Sequence, residues 1–153
     1  MTEDRPVVQF ADRSTRAALL VEHAAILDLC QEWERLADAL PSLPTRRRWR
    51  ALKSGFQALH DRHLPRIDLA MADITAEENA PGHLVEFVHR LSSQNLADAD
   101  NSRDVEAAFD ALRGERLAEN AESLGYMLRC LFDGCRRTVL AREILLSALV
   151  AAR

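Results

Sequence analysis

The chain has 153 residues, with 20 Lys plus Arg against 24 Asp plus Glu and a formal charge of −4. Five Gly, five Pro and 5 % aromatics exclude a strand-rich domain, which leans on turn residues and aromatic packing, and 48 % apolar residues exclude a disordered chain. The mildly acidic balance gives no general attraction to nucleic acid or anionic lipid, so neither is expected as a partner.

In chain order, residues 1–13 read as an N-terminal tail and residues 14–153 as a single helical domain. Met1 to Arg13 is charged and holds no apolar signal-peptide core. A first helix is expected from about Ser14 to Leu40, with the stripe Leu19, His23, Ile26/Leu27, Cys30, Trp33, Ala37 and Leu40 stopped by Pro41 and Pro44. A second is expected from about Thr45 to Ile74, with Trp49, Leu52, Phe56, Leu59, His63, Ile67, Ala70/Met71 and Ile74 on one face. Pro65 lies inside it and should kink it or free a carbonyl. Pro81-Gly82 opens a third, whose stripe is Leu84, Val88, Leu91, Asn95, Asp98, Ser102, Val105, Phe109 and Leu112. Gly114 and residues 115–122 read as a connection. The fourth, from about Ser123 to Val150, carries Leu128, Phe132, Cys135, Val139, Glu143, Leu146 and Val150. Short connections between long helices imply an all-α, antiparallel up-down-up-down four-helix bundle.

Features of several function classes are missing. The glycines are scattered, so no phosphate-cradling loop forms, and no serine sits in a nucleophile elbow. No nucleophile and base pair can be named, and an enzyme is not expected. The longest apolar run, Ile144 to Ala152, is too short for a bilayer, so no membrane partner is expected. Cys30, Cys130 and Cys135 are an odd set without paired spacing, which suits a reducing cytoplasm.

The stripes are interrupted by His23, His63, Asn95, Asp98 and Glu143, and buried polar groups are costly unless they find partners. Counting outward from each turn brings His23 level with His63, His63 with Asn95, and Asn95 with the span from Val139 to Glu143. The interruptions therefore fall on one layer. Two imidazoles and a carboxylate in a bundle core suit a transition metal, with Asp98 one turn from Asn95. A layer that hydrogen-bonds internally, without metal, is the other reading.

At these residues the chain resembles the hemerythrin-like (HHE cation-binding) family, in particular its bacterial branch. That family carries Glu-His on the first helix, a His followed four residues later by Glu on the second, Glu-His on the third, and a His-to-Glu step of four near the end of the fourth. Leu20-Val21-Glu22-His23 matches the first motif. His63 starts the second, but Ile67 stands where the carboxylate belongs, with Asp68 adjacent. Gln94-Asn95 replaces the third pair, with Asp98 following. In the fourth, Val139 replaces the His and Glu143 is kept.

The resemblance implies a hemerythrin-like bundle and a small-molecule, oxygen-responsive or iron-binding role. The reduced core site would hold iron, as a mononuclear or incomplete di-iron centre, on His23, His63, Glu143 and Asp98. The alternative is a metal-free interaction or regulatory module with a protein partner, acting through surfaces such as the basic cluster Arg46 to Lys53. His60 reads as partly exposed, His89 as pointing away from its stripe, and Cys30 and Cys135 as small core residues.

Overall fold

The computed structural model describes residues 8–112 and 115–151, and every regular element among them is helical, with no strand. Residues 1–7 of the expected tail and Gly114 of the expected last connection lie outside the described residues. Helix α1 (Val8–Ala39) begins ahead of Ser14, so the rest of the expected tail is already helical backbone. Leu19, Ile26, Cys30, Trp33 and Ala37 are buried along it, as their spacing requires.

Thr45 caps α2 (Arg46–Ala58), its hydroxyl accepting a hydrogen bond from the Arg48 backbone N–H at 3.2 Å. The expected single helix through Pro65 is divided. A π-helical turn at Leu59–His63 joins α2 to α3 (Leu64–Glu77), and Pro65 stands in the first turn of α3. Proline has no N–H to return to the preceding turn, and the first turn of a helix is where that loss costs least. The wider turn accommodates an extra residue, which leaves Leu59, His63, Leu64 and Ile67 all buried.

Asn79 takes a left-handed conformation (φ 47°) beyond the end of α3, and the Ala80 N–H closes the turn on the Thr75 carbonyl at 3.1 Å. Pro81 precedes α4 (Gly82–Ala111), whose buried positions from Val88 through Leu91, Asn95, Asp98, Ser102 and Val105 to Phe109 follow the sequence stripe. A short helix α5 (Glu115–Glu119) forms where only a connection was expected, ahead of α6 (Ala121–Ala151).

Helix α6 departs from its expected stripe in its last third. Glu143 and Val150 lie at the surface, and Arg142 and Leu149 take the buried places. Alternating steps of four and three keep a stripe straight. Two steps of four in succession, Cys135 to Val139 to Glu143, carry it about 80° around the helix.

The long helices close a ring in which α1 packs on α6, α6 on α4, α4 on α2, α3 and the turn between them, and those back on α1. Side-chain pairs fix the register. Glu22 meets His63 and Trp33 meets Phe56; Phe56 meets Ser102 and Asp68 meets Ser92. Asn95 meets Arg142 and Asp98 meets Thr138; Glu34 meets Arg136 and Asp38 meets Arg129. No helix among the described residues is long and apolar enough to cross a membrane.

The indole of Trp33 is fully buried and stacks on Phe56 with centroids 4.8 Å apart and planes 5° from parallel. Its Nε1 has no hydrogen-bond partner among the described residues, and the ring contributes through packing. Trp33→Ala should cost about 3–5 kcal/mol by urea unfolding, whereas Trp33→Phe, which removes the unpaired N–H and keeps a ring on Phe56, should cost less than half as much.

Candidate functional site

The polar layer exists, with Arg142 inside it. This side chain projects from α6 into the core and is 1 % exposed. Its Nη2 donates to Asn95 Oδ1 across the α4–α6 contact, while Nε and Nη1 are buried without hydrogen-bond partners among the described residues. Asn95 passes the interaction on, its Nδ2 donating to Asp68 Oδ1 at 2.6 Å, where Ser92 Oγ also donates at 3.0 Å. Burial pulls the guanidinium below its ordinary pKa, and the negative charges of Asp68 and Asp98 oppose that pull. A guanidinium remains charged in proteins. The layer therefore contains a fixed cation supplied by the chain.

Asp98 lies one helical turn from Asn95 and is 1 % exposed. It accepts from Gln94 Nε2 at 3.0 Å and from Thr138 Oγ1 at 3.3 Å. Burial raises its pKa despite these hydrogen bonds and the nearby Arg142 and Arg137 charges. Gly134 permits this close packing, since a Cβ there would stand 3.2 Å from Asp98 Oδ1. A recess of about 220 Å³ opens outside these residues, lined by Gln94, Gly134, Arg137, Thr138 and Ala141.

His63 is buried at the end of the π turn, and its Nδ1 donates to Glu22 Oε2, whose other oxygen accepts from Arg66 at 3.1 Å. Burial alone would raise the Glu22 pKa, but the hydrogen bonds and charges of His63 and Arg66 lower it. His23 is 1 % exposed and neither ring nitrogen has a hydrogen-bond partner among the described residues. The nearest carboxylate oxygen to its Nδ1 is Glu143 Oε1 at 3.9 Å, on a side chain that is 47 % exposed.

Of the four residues expected as ligands, His23, His63 and Asp98 are thus buried and Glu143 reaches the layer from the surface. Of the four, His23 and Glu143 approach each other to 3.9 Å. Among the described residues, no three His, Cys, Asp or Glu side chains form a group able to hold a metal ion. The chemistry of the set argues the same way: His63 is committed to Glu22, Asp98 to Gln94 and Thr138, and the fixed Arg142 charge repels a second cation. The residues do not fit a di-iron centre.

Sequence reasoning missed Arg142, Thr138 and the pairing of Glu22 with His63. The steps from Cys135 to Val139 to Arg142 carried the signal for the first. Residue type points against that position, because an arginine is seldom fully buried.

The remaining candidates are also placed. Cys30 and Cys135 are buried, and the Cys135 thiol is pushed well up by its hydrogen bond to Cys30, by burial and by Asp98, which keeps it protonated and inert. His60 is more enclosed than expected, between Asp61 at 2.8 Å and Glu106 at 3.7 Å. His89 is exposed, as expected. The basic cluster is partly neutralised, with Arg48 paired to Glu32 and Lys53 to Asp110 and Glu106, while Trp49 stacks inward on Phe109 at 5.0 Å.

Comparison with protein-family models, curated proteins and solved structures finds no match for this chain.

Burial and the neighbouring Arg142 charge lower the His23 pKa from 6.5 to about 4. The folded state therefore binds fewer protons at this site than the unfolded chain. Stability carried here is intact above pH 6.5 and falls as the pH drops toward 4, by about 3 kcal/mol over the whole window. Urea unfolding of wild type and His23→Leu across pH 4 to 7 checks this. The stability difference between them should change in favour of the variant as the pH falls, and a constant difference would refute the assignment.

Proposed function

We propose that the protein is a metal-free four-helix interaction or regulatory module of up-down-up-down, hemerythrin-like topology. In it, the Arg142 guanidinium takes the place that a metal holds in bundles with a liganded core. The carrying observation is a fully buried cation hydrogen-bonded to Asn95 and facing Asp68 and Asp98, at the level where the resemblance calls for iron ligands. The opposed ordering of contacts between neighbouring helices supports the topology. Ile67 and Val139, both buried, extend the same substitution, since neither can coordinate anything.

A polar layer of this kind acts on pairing rather than on chemistry. Arg142 and Asn95 meet only in one register of α4 against α6, and Glu22 and His63 only in one register of α1 against the π turn. Slippage would leave buried charges unpaired, at a cost of several kcal/mol, so the layer selects one arrangement of the helices. Recognition is then left to the outer surfaces, and the odd set of reduced, buried or solitary thiols is consistent with a cytoplasmic setting.

Elemental analysis of protein purified from iron-supplemented cells tests the proposal. Less than about a tenth of an equivalent of any transition metal is expected, with the helical circular dichroism fully present. One equivalent of iron that survives desalting and is lost in His63→Ala would instead establish the metal-binding reading.

A further inference from the structure

Six of the large apolar side chains that remain exposed fall on one side of the molecule. Leu20, Val21 and Leu27 lie on α1, and Leu140, Ile144 and Val150 on α6, with Val21 67 % and Ile144 61 % exposed. The two helices are neighbours, tied by Glu34 to Arg136 and Asp38 to Arg129. By the register of those pairs and of His23 with Glu143, Val21 is level with Ile144, Leu27 with Leu140, and Asp28 with Arg137. Helical spacing gathers Ala17, Val21, Ala24 and Asp28 on the crest of α1, and Arg137, Leu140, Ile144 and Ala151 on the crest of α6. Glu143 turns into the seam between them, toward His23.

We infer that this α1–α6 face binds a second copy of the chain, giving a two-fold dimer whose axis runs along the bundle. Rotation about such an axis lays α1 on α6 of the second copy at the same level. Val21 then meets Ile144, and Leu27 meets Leu140, with the small Ala24 side chain allowing close approach of the helices between them. Each Asp28 meets an Arg137 of the other copy. Both are exposed, and neither has an ion-pair partner of its own among the described residues. The face is thus complementary to itself in charge as well as in apolar character.

Its area is that of an interface. Six side chains at these exposures leave on the order of 600 Å² of apolar surface on each copy, at the upper end of what a monomer keeps exposed. Pairing two such faces buries about 1,200 Å², the lower bound for a stable specific complex, before the alanines and the polar rim are added. The face lies outside the core layer, so its pairing stands or falls separately from the metal-free reading.

Sedimentation equilibrium of the full chain provides the test, with light scattering on a sizing column as the second readout. Wild type should sediment at twice the monomer mass at roughly 100 μM, and Val21→Asp/Ile144→Asp should be monomeric with unchanged circular dichroism. Asp28→Arg should raise the dissociation constant at least about tenfold, and Asp28→Arg/Arg137→Glu should recover most of that loss. A wild-type monomer throughout the range would overturn the inference, whatever other protein the face then proved to hold. So would a dimer indifferent to the aspartates, or a charge exchange without recovery.

Discussion

A guanidinium buried in an apolar core is the constraint on which the rest of the bundle depends. Moving such a charge out of water costs several kcal/mol even after the protein relaxes, and the cost is offset only where hydrogen bonds and opposite charges meet the group in one geometry. Arg142 meets Asn95 directly, Asn95 is held by Asp68, and Asp98 faces the same cation from one turn away. These residues come from α3, α4 and α6, so the helices that supply them must keep their register for the charge to remain compensated. His23, from α1, also feels the cation, which together with burial holds its imidazole neutral.

The apolar packing and this polar layer perform different tasks. Trp33, Phe56, Trp49 and Phe109 form a chain of aromatic contacts, stacked at both ends and tilted between Phe56 and Trp49, that supplies non-directional stabilisation near one end of the bundle. Such contacts tolerate small slips along a helix. The layer does not tolerate them, because a displaced Arg142 or His63 would bury an unpaired charge or polar group. That division suits a module that keeps one fixed shape and presents its surfaces to partners. The α1–α6 face, with its apolar crests and its Asp28 and Arg137, is the surface best suited to that role.

Much of the helical layout could be read from the spacing of apolar residues. The buried positions of α4 follow the stripe from Val88 to Phe109, including Asn95, Asp98 and Ser102, and Thr45 and Pro81 mark real helix starts. Two features escaped that reading for physical reasons. The π turn before Pro65 adds a residue to the cycle, which no fixed step of three or four anticipates. In α6, residue type and helical phase point opposite ways: a glutamate fits the expectation of a ligand, but phase buries Arg142 and leaves Glu143 at the surface. The layer is legible from its interruptions, yet its central charge is opposite in sign to the carboxylate ligand expected there.

The coupling between Arg142 and Asp68 is the most direct measure of whether the buried cation organises the bundle. Arg142→Leu should destabilise the protein by about 3–5 kcal/mol in urea unfolding, because it strands facing carboxylates without their counter-charge. Adding Asp68→Asn to it should recover at least about 1 kcal/mol relative to additivity. If Arg142→Leu instead unfolds at the wild-type urea concentration, or the two substitutions simply add, the guanidinium is a bystander and the account of the core layer is wrong.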